Sequence, residues 1–233
     1  MNQVLKPGII ILFWVLMAIP LQAQKNDLVV NIGHHDNVTL MDISRDGRWL
    51  VTGSLDQSIR IWDYPQKKLY KVLHGFTYSR INALKISSNG KYIAASGADR
   101  MVRIWERTSG ELLHTLGSHT SDIKTLAFSP DSKTLASTGQ DAKVFLWNVA
   151  KGTELALLKD TKNTITKLVF SRDGQWLAAG TTEGEVLIWQ VKPRKLIRTF
   201  IAYPKKRAIN YLAIGPNNKK IVTIHNRWSN ETS

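Results

Sequence analysis

A short apolar pattern recurs five times along the chain, and a polar turn follows each copy. Three apolar residues stand nine, six and four positions before the second residue of the turn pair. An apolar run of this length before a turn predicts a buried β-strand followed by a hairpin. The triplets are Val38, Met41, Ile43; Ile81, Leu84, Ile86; Ile123, Leu126, Phe128; Ile165, Leu168, Phe170; and Ile209, Leu212, Ile214. The turn pairs are Asp46-Gly47, Asn89-Gly90, Asp131-Ser132, Asp173-Gly174 and Asn217-Asn218, which favour the positive φ of a hairpin turn.

Two further strands are predicted in each unit. A β-branched and apolar segment ends in Trp62, Trp105, Trp147 and Trp189, and these residues are 43, 42 and 42 positions apart. A more polar stretch then leads to the next unit. A period of about 40 to 45 residues with a terminal Trp is typical of four-stranded blades arranged around an axis. We therefore predict an all-β chain with four complete blades and a partial fifth.

The first unit carries Gly33-His34, then Thr52-Gly53-Ser54-Leu55-Asp56, then Trp62-Asp63. With these motifs the chain resembles the WD-repeat (WD40) β-propeller family, in the form of an exported, bacterial-type member that stops short. The resemblance implies one repeat domain over residues 25–233, with an open or incomplete ring. Its units are expected at residues 33–73, 75–116, 118–158 and 160–200, with a partial unit at 201–233.

The resemblance also implies a buried hydrogen-bonded set of His, Ser or Thr, Asp and Trp in each blade. Blades one and three carry it complete, whereas blade two has Thr77 and Ala95 at two of its positions. In blade four, Thr161, Ala179 and Glu183 replace three members. We expect these two blades to be less rigid than the others. The members are His34, Thr52, Asp56 and Trp62; Asp99 and Trp105; His119, Ser137, Asp141 and Trp147; and Trp189.

Members of this family commonly bind protein partners at the mouth of the central channel. By position, the resemblance places two rows of residues there, and only Arg80 among them is of a type that dominates binding energy. The rows are Asn37, Arg80, Asp122 and Thr164 at the start of the inner strands, and Leu55, Ala98, Gln140 and Thr182 before the acidic position.

The N-terminus predicts export. Lys6 precedes 18 uncharged residues, which include a strongly apolar run and end in Gln22-Ala23-Gln24. This order is typical of a secretory signal peptide, here residues 1–24, and it predicts a periplasmic, cell-surface or extracellular protein. The alternative is an uncleaved membrane anchor, since a spanning helix needs about 17 to 25 residues. The chain has no cysteine, so disulfides cannot stabilise it.

Positive charge is concentrated near the C-terminus. The net charge is +14, and residues 190–233 hold ten basic residues and one acidic residue. A basic patch at Lys205, Lys206 and Arg207 is either a solvated surface or an attachment to an anionic partner such as lipid headgroups or acidic polysaccharide. Export makes nucleic acid an unlikely partner.

No catalytic, cofactor or metal site is predicted. His34 and His119 belong to different blades, and the recurrent turn acids Asp46, Asp131 and Asp173 are too far apart to act as a pair. We expect a non-catalytic protein-interaction scaffold. The alternatives are the recognition part of a longer enzyme, or a propeller hydrolase or carbohydrate-binding protein that acts at the channel mouth.

The fifth unit ends before its Trp position. Three explanations remain open: further blades in a longer protein, self-association through open blade edges, or closure as an unusually small ring.

Overall fold

The computed structural model describes residues 33–76, 79–159, 161–203 and 207–225. The predicted signal peptide, Thr77, Lys205 and Lys206 lie outside these ranges. Every regular element within them is a strand, and no helix there is long and apolar enough to cross a membrane. The prediction of an all-β chain is confirmed.

Eighteen strands form four antiparallel sheets of four strands and a fifth sheet of two. Within each sheet, the strands lie side by side in chain order. The first sheet contains β1 Val38–Ile43, β2 Trp49–Ser54, β3 Ile59–Asp63 and β4 Lys68–Leu73. The second contains β5 Ile81–Ile86, β6 Tyr92–Gly97, β7 Val102–Glu106 and β8 Leu112–Leu116. The third contains β9 Ile123–Phe128, β10 Thr134–Gly139, β11 Val144–Asn148 and β12 Thr153–Leu158. The fourth contains β13 Ile165–Phe170, β14 Trp176–Thr181, β15 Glu185–Gln190 and β16 Lys195–Ile201, and the fifth contains β17 Ile209–Ile214 and β18 Ile221–His225.

A buried serine organises the turn between the first two strands of each complete sheet. In the second sheet, Ser87 donates to the Asn89 side chain at 2.7 Å and accepts from the Tyr92 backbone N–H at 2.9 Å. Gly90 follows with a φ of 66°. Ser132 has a φ of 60°, so the turn position keeps its left-handed backbone even where glycine is replaced. The turn pairs of the sequence are therefore hairpin turns, as predicted.

The sheets pack against one another through their inner strands, which lie in the order β1, β5, β9, β13 and β17. The triplet of β5 packs on Val51 and Ile61 of the first sheet, and both of these residues are fully buried. The triplet of β1 has no described sheet on its outer side. Consequently Val38 is 37% and Ile43 45% exposed, and the expectation that this triplet is buried like the others is wrong.

The fifth sheet is less covered than the rest. Tyr211 is 66% and Val222 57% exposed, whereas Ile209 is fully buried against the fourth sheet. The described strands form successive blades that do not close into a ring.

Candidate functional site

The two predicted rows of channel-mouth residues lie next to each other in every complete blade. A backbone N–H of one row donates to a backbone carbonyl of the other: Leu55 to Asn37 at 3.0 Å, Ala98 to Arg80 at 3.2 Å, Gln140 to Asp122 at 3.1 Å and Thr182 to Thr164 at 2.9 Å. We name these eight residues the rim. All of them are exposed or half-buried.

Irregular pairing between the first two strands brings the rows together. The register shifts near the start of the inner strand in each complete sheet, for example between Ile81 and Ala83. In the second and third sheets, a glycine lies beneath the displaced carbonyl. A Cβ atom at Gly97 would lie 2.3 Å from the Arg80 oxygen, and one at Gly139 would lie 2.0 Å from the Asp122 oxygen. The missing side chains therefore permit this close approach.

The rim is chemically mixed. Leu55 is 38% exposed, and Arg80 and Gln140 are also exposed. Asp122 forms an ion pair of 3.7 Å with Lys124, and both side chains are partly open to solvent. The rim thus presents an apolar side chain together with single charges of both signs. This combination favours binding of a protein surface over binding of a uniformly charged ligand.

The first blade holds a closed network of side chains directly behind the rim. His34 Nδ1–H donates to Asp56 at 2.9 Å, and Thr52 donates to His34 Nε2 at 2.9 Å. The indole N–H of Trp62 donates to Thr52 at 2.9 Å. Ser58, which the sequence analysis did not select, donates to Asp56 at 2.7 Å. Every member of the network has a hydrogen-bond partner, so its polar groups do not destabilise the fold by being left unpaired.

The third blade repeats this network with a serine in place of the threonine. His119 contacts Asp141 and Ser137, each at 2.8 Å, and Trp147 donates to Ser137 at 2.8 Å. The His119 side chain is 1% and that of Asp141 3% exposed. The imidazole also meets the edge of Phe145 with ring centroids 4.6 Å apart.

Burial controls the ionisation of these networks. It lowers the pKa of His34 and of His119, because the charge of the nearby aspartate offsets the lost hydration only in part. Burial raises the pKa of Asp56, but hydrogen bonds from Ser58 and His34 outweigh it and hold that pKa well below its usual value. The histidines are therefore neutral at pH 7, and the Asp56 carboxyl is charged.

Blade two binds its acidic residue differently. Arg103 Nη1 lies 2.6 Å from Asp99 Oδ2, and its guanidinium stacks 4.6 Å from the centre of the Phe76 ring. Trp105 is 1% exposed, and Ala95 is fully buried at the predicted hydroxyl position. In this blade the acidic residue is therefore paired with an arginine and not with the histidine that the resemblance implied. The sequence analysis selected Asp99 as the acid of this blade, but it did not select Arg103 four residues later.

Blade four uses another acidic residue. Thr161 donates to Glu185 at 3.0 Å, and the Asn163 side chain donates to the same oxygen at 3.3 Å. Trp189 is 1% exposed beside the core. The sequence analysis named Glu183 as the residue that replaces the aspartate of the family pattern, and it did not consider Glu185 two residues later.

Comparison of the sequence with models of known protein families shows which family the chain belongs to. The profile described as "WD domain, G-beta repeat" matches residues 26–63, 67–106, 110–148 and 152–190. The chain belongs to the WD40 repeat family. Each of the last three matches contains the outer strand of one blade and the first three strands of the next. The WD40 sequence repeat and the four-stranded sheet are therefore offset by one strand.

Two curated relatives of this WD40 chain match over short stretches. U3 small nucleolar RNA-associated protein 21 of Saccharomyces cerevisiae is 52% identical over 33 residues, which are 14% of this chain and 4% of the relative. The homolog of that protein in Schizosaccharomyces pombe is 58% identical over 33 residues, with the same coverage. The match thus spans a small fraction of either relative.

One member of the predicted basic patch lies within the described residues. Arg207 of the predicted basic patch is half-buried, and its carbonyl lies close to Gly184 in blade four. The other two members of the patch fall outside the described residues, so an attachment to anionic surfaces stays a prediction. Among the residues that the structure describes, His, Asp and Glu side chains form no group of three that could hold a metal ion.

Proposed function

We propose that this WD40 chain is a non-catalytic protein-interaction scaffold that binds its partner through the rim. The proposal rests on one observation: eight exposed or half-buried residues are paired by backbone hydrogen bonds along four successive blades. A surface fixed by strand backbones requires little ordering when a partner binds. Its mixture of Leu55, Arg80 and Asp122 favours a protein over RNA, which would be bound mainly by positive charge.

Site-specific photocrosslinking tests this proposal. A benzoylphenylalanine at Gln140 should crosslink a partner in the native host, and the same group at Ile197 should not, because Ile197 is 45% exposed but lies on the outer strand β16. The Arg80→Glu substitution should remove the crosslink, and ribonuclease should leave it intact. Equal crosslinking at both positions, or insensitivity to Arg80→Glu, would refute rim binding.

The scaffold is further proposed to act after export from the cytoplasm. Support comes from the apolar segment between Lys6 and Lys25, which has the composition of a cleavable signal. N-terminal sequencing of the protein purified from its host should find a start near Gln24. A membrane-bound protein that retains Met1 would instead support the anchor, and an intact cytoplasmic protein would refute export.

Self-association is a second proposal, and it concerns the fifth sheet. Its strands expose Tyr211, Val222 and Ile224 by 66%, 57% and 52%. Light scattering should then detect oligomers that Val222→Lys dissociates. A monomer at all concentrations would exclude this mode.

A further inference from the structure

The ends of the inner strands that are farther from the rim border a cavity of about 550 Å³. It lies between β5, β9 and β13, at the side where the serine-containing turns join the first two strands of each blade. The rim, by contrast, lies where these inner strands begin. We name this space the turn-end cavity. Its lining includes Arg45, Lys85, Phe128, Pro130, Phe170 and Arg172.

The charged residues that line this cavity are all cationic: Arg45, Lys85 and Arg172. Lys85 forms an ion pair of 3.1 Å with Asp42. Within the described part of the chain, no hydrogen bond or ion pair engages the guanidinium of Arg45 or Arg172. Two exposed arginines with unused donors therefore face the same space.

The acidic residues of the neighbouring turns do not line the cavity. Asp131 accepts from Ser129 at 2.6 Å, and Asp173 accepts from Ser171 at 2.6 Å. Asp46 accepts from Ser44 in the same way. Asp173 also accepts from the Asn218 side chain in the turn of the fifth sheet at 2.7 Å. These three carboxylates are therefore engaged by turn residues and not by an arginine of the cavity.

A further cation, Lys167, lies on the inner strand β13. Lys167 and Val169 lie on one face of β13, because side chains alternate along a strand, and Val169 lines the cavity. Burial lowers the pKa of Lys167, and the positive charge of Lys85 lowers it further. An anion entering from the turn end would relieve this repulsion.

The walls of the cavity combine polar and apolar side chains. Leu126, Phe128, Pro130 and Phe170 contribute hydrocarbon and aromatic surface beside the cations. A small inorganic anion would leave that surface uncovered, and a nucleic acid would expose it to a charged backbone. A segment that alternates acidic and apolar side chains would satisfy both the charges and the walls.

We propose that the turn-end cavity binds an acidic peptide segment of a partner protein, with carboxylates at Arg45 and Arg172 and an apolar side chain against Phe128. The proposal extends the scaffold function to a second binding surface and rests on it. Partners held at the rim and at the turn-end cavity would then occupy opposite ends of the inner strands.

Fluorescence anisotropy with a labelled peptide that alternates glutamate and phenylalanine tests the site. The purified chain should bind this peptide, and binding should weaken as salt screens the charges. The double variant Arg45→Glu/Arg172→Glu should weaken binding by about a hundredfold, since each of the two charged hydrogen bonds contributes about a factor of ten. The matched control is Lys195→Glu/Arg198→Glu, which changes the net charge equally on the exposed outer strand β16.

Equal loss in both double variants would overturn the proposal, because it would show attraction to overall charge alone. Absence of peptide binding, or binding of phosphatidylserine vesicles in preference to the peptide, would overturn it as well. A glutamine-for-glutamate peptide should bind weakly, and undiminished binding of it would contradict a role for the arginines. Crosslinking at the rim is measured separately, so failure of the cavity proposal leaves the rim proposal intact.

Discussion

Replacement of His119 by alanine should destabilise the protein strongly without altering the rim. The variant loses two hydrogen bonds of 2.8 Å, one to the Asp141 carboxylate and one to Ser137. A bond to a charged group contributes about 1.5 to 3 kcal/mol and a neutral one about 1 kcal/mol. Removal of a ring that packs on Phe145 adds a cavity cost of about 1 kcal/mol or more. The backbone N–H of Thr120 still donates to Asp141 at 3.1 Å, which limits the loss.

We therefore expect the free energy of unfolding to fall by about 4 kcal/mol and the melting temperature by roughly 10 °C. Urea titration followed by circular dichroism measures the first quantity. His74→Ala is the control, because His74 is exposed, and it should change stability by less than about 0.5 kcal/mol. The double variant with Ser137→Ala should lose less than the sum of the single changes. A loss below about 1 kcal/mol, or full additivity, would refute the role of His119 in a buried network.

Three further predictions concern acidity, blade contacts and backbone packing. Burial lowers the pKa of His119 in the folded chain, so below about pH 6.5 this histidine binds protons more readily in the unfolded chain than in the folded one. The free energy of unfolding should therefore fall from pH 7.5 to 5.5. His119→Ala should flatten that slope, and an unchanged slope would contradict the assignment. Arg107 lies 3.8 Å over the Trp49 ring of the preceding blade and donates to a backbone carbonyl at 2.7 Å, so Arg107→Ala should cost about 1 to 2 kcal/mol in urea titrations. A neutral effect would argue against this link between blades. Gly139→Ala should cost about 1 to 3 kcal/mol, more than Gly53→Ala, because the new Cβ meets backbone at 2.0 Å rather than a leucine methyl at 3.4 Å. Equal costs for the two glycines, read from the same titrations, would contradict this.

The sequence predicted the elements well because their signals are local. An apolar triplet, a turn pair and a Trp each reflect burial within one unit, and the turn at Asn89-Gly90 forms as its residues demand. The network of His34, Thr52 and Trp62 also follows the family spacing. These features depend on strand register, which a fixed repeat length preserves.

Contacts that depend on side-chain reach could not be predicted in the same way. Thr161 reaches Glu185 rather than a residue fixed by the repeat, and Arg103 pairs with Asp99 by bending back along its own hairpin. The exposure of Val38 depends on which sheets surround β1, and no local pattern encodes that. The turn-end cavity likewise requires side chains from four blades, so its cations are scattered along the chain.

The one-strand offset between sequence repeat and sheet has a consequence for how such arrays grow. Any insertion of one full period, wherever its breakpoints fall, restores the order of four strands in every sheet. Gene duplication therefore needs no particular phase to lengthen the array. Each added copy is also tied to its predecessor, because it lends that neighbour its first strand.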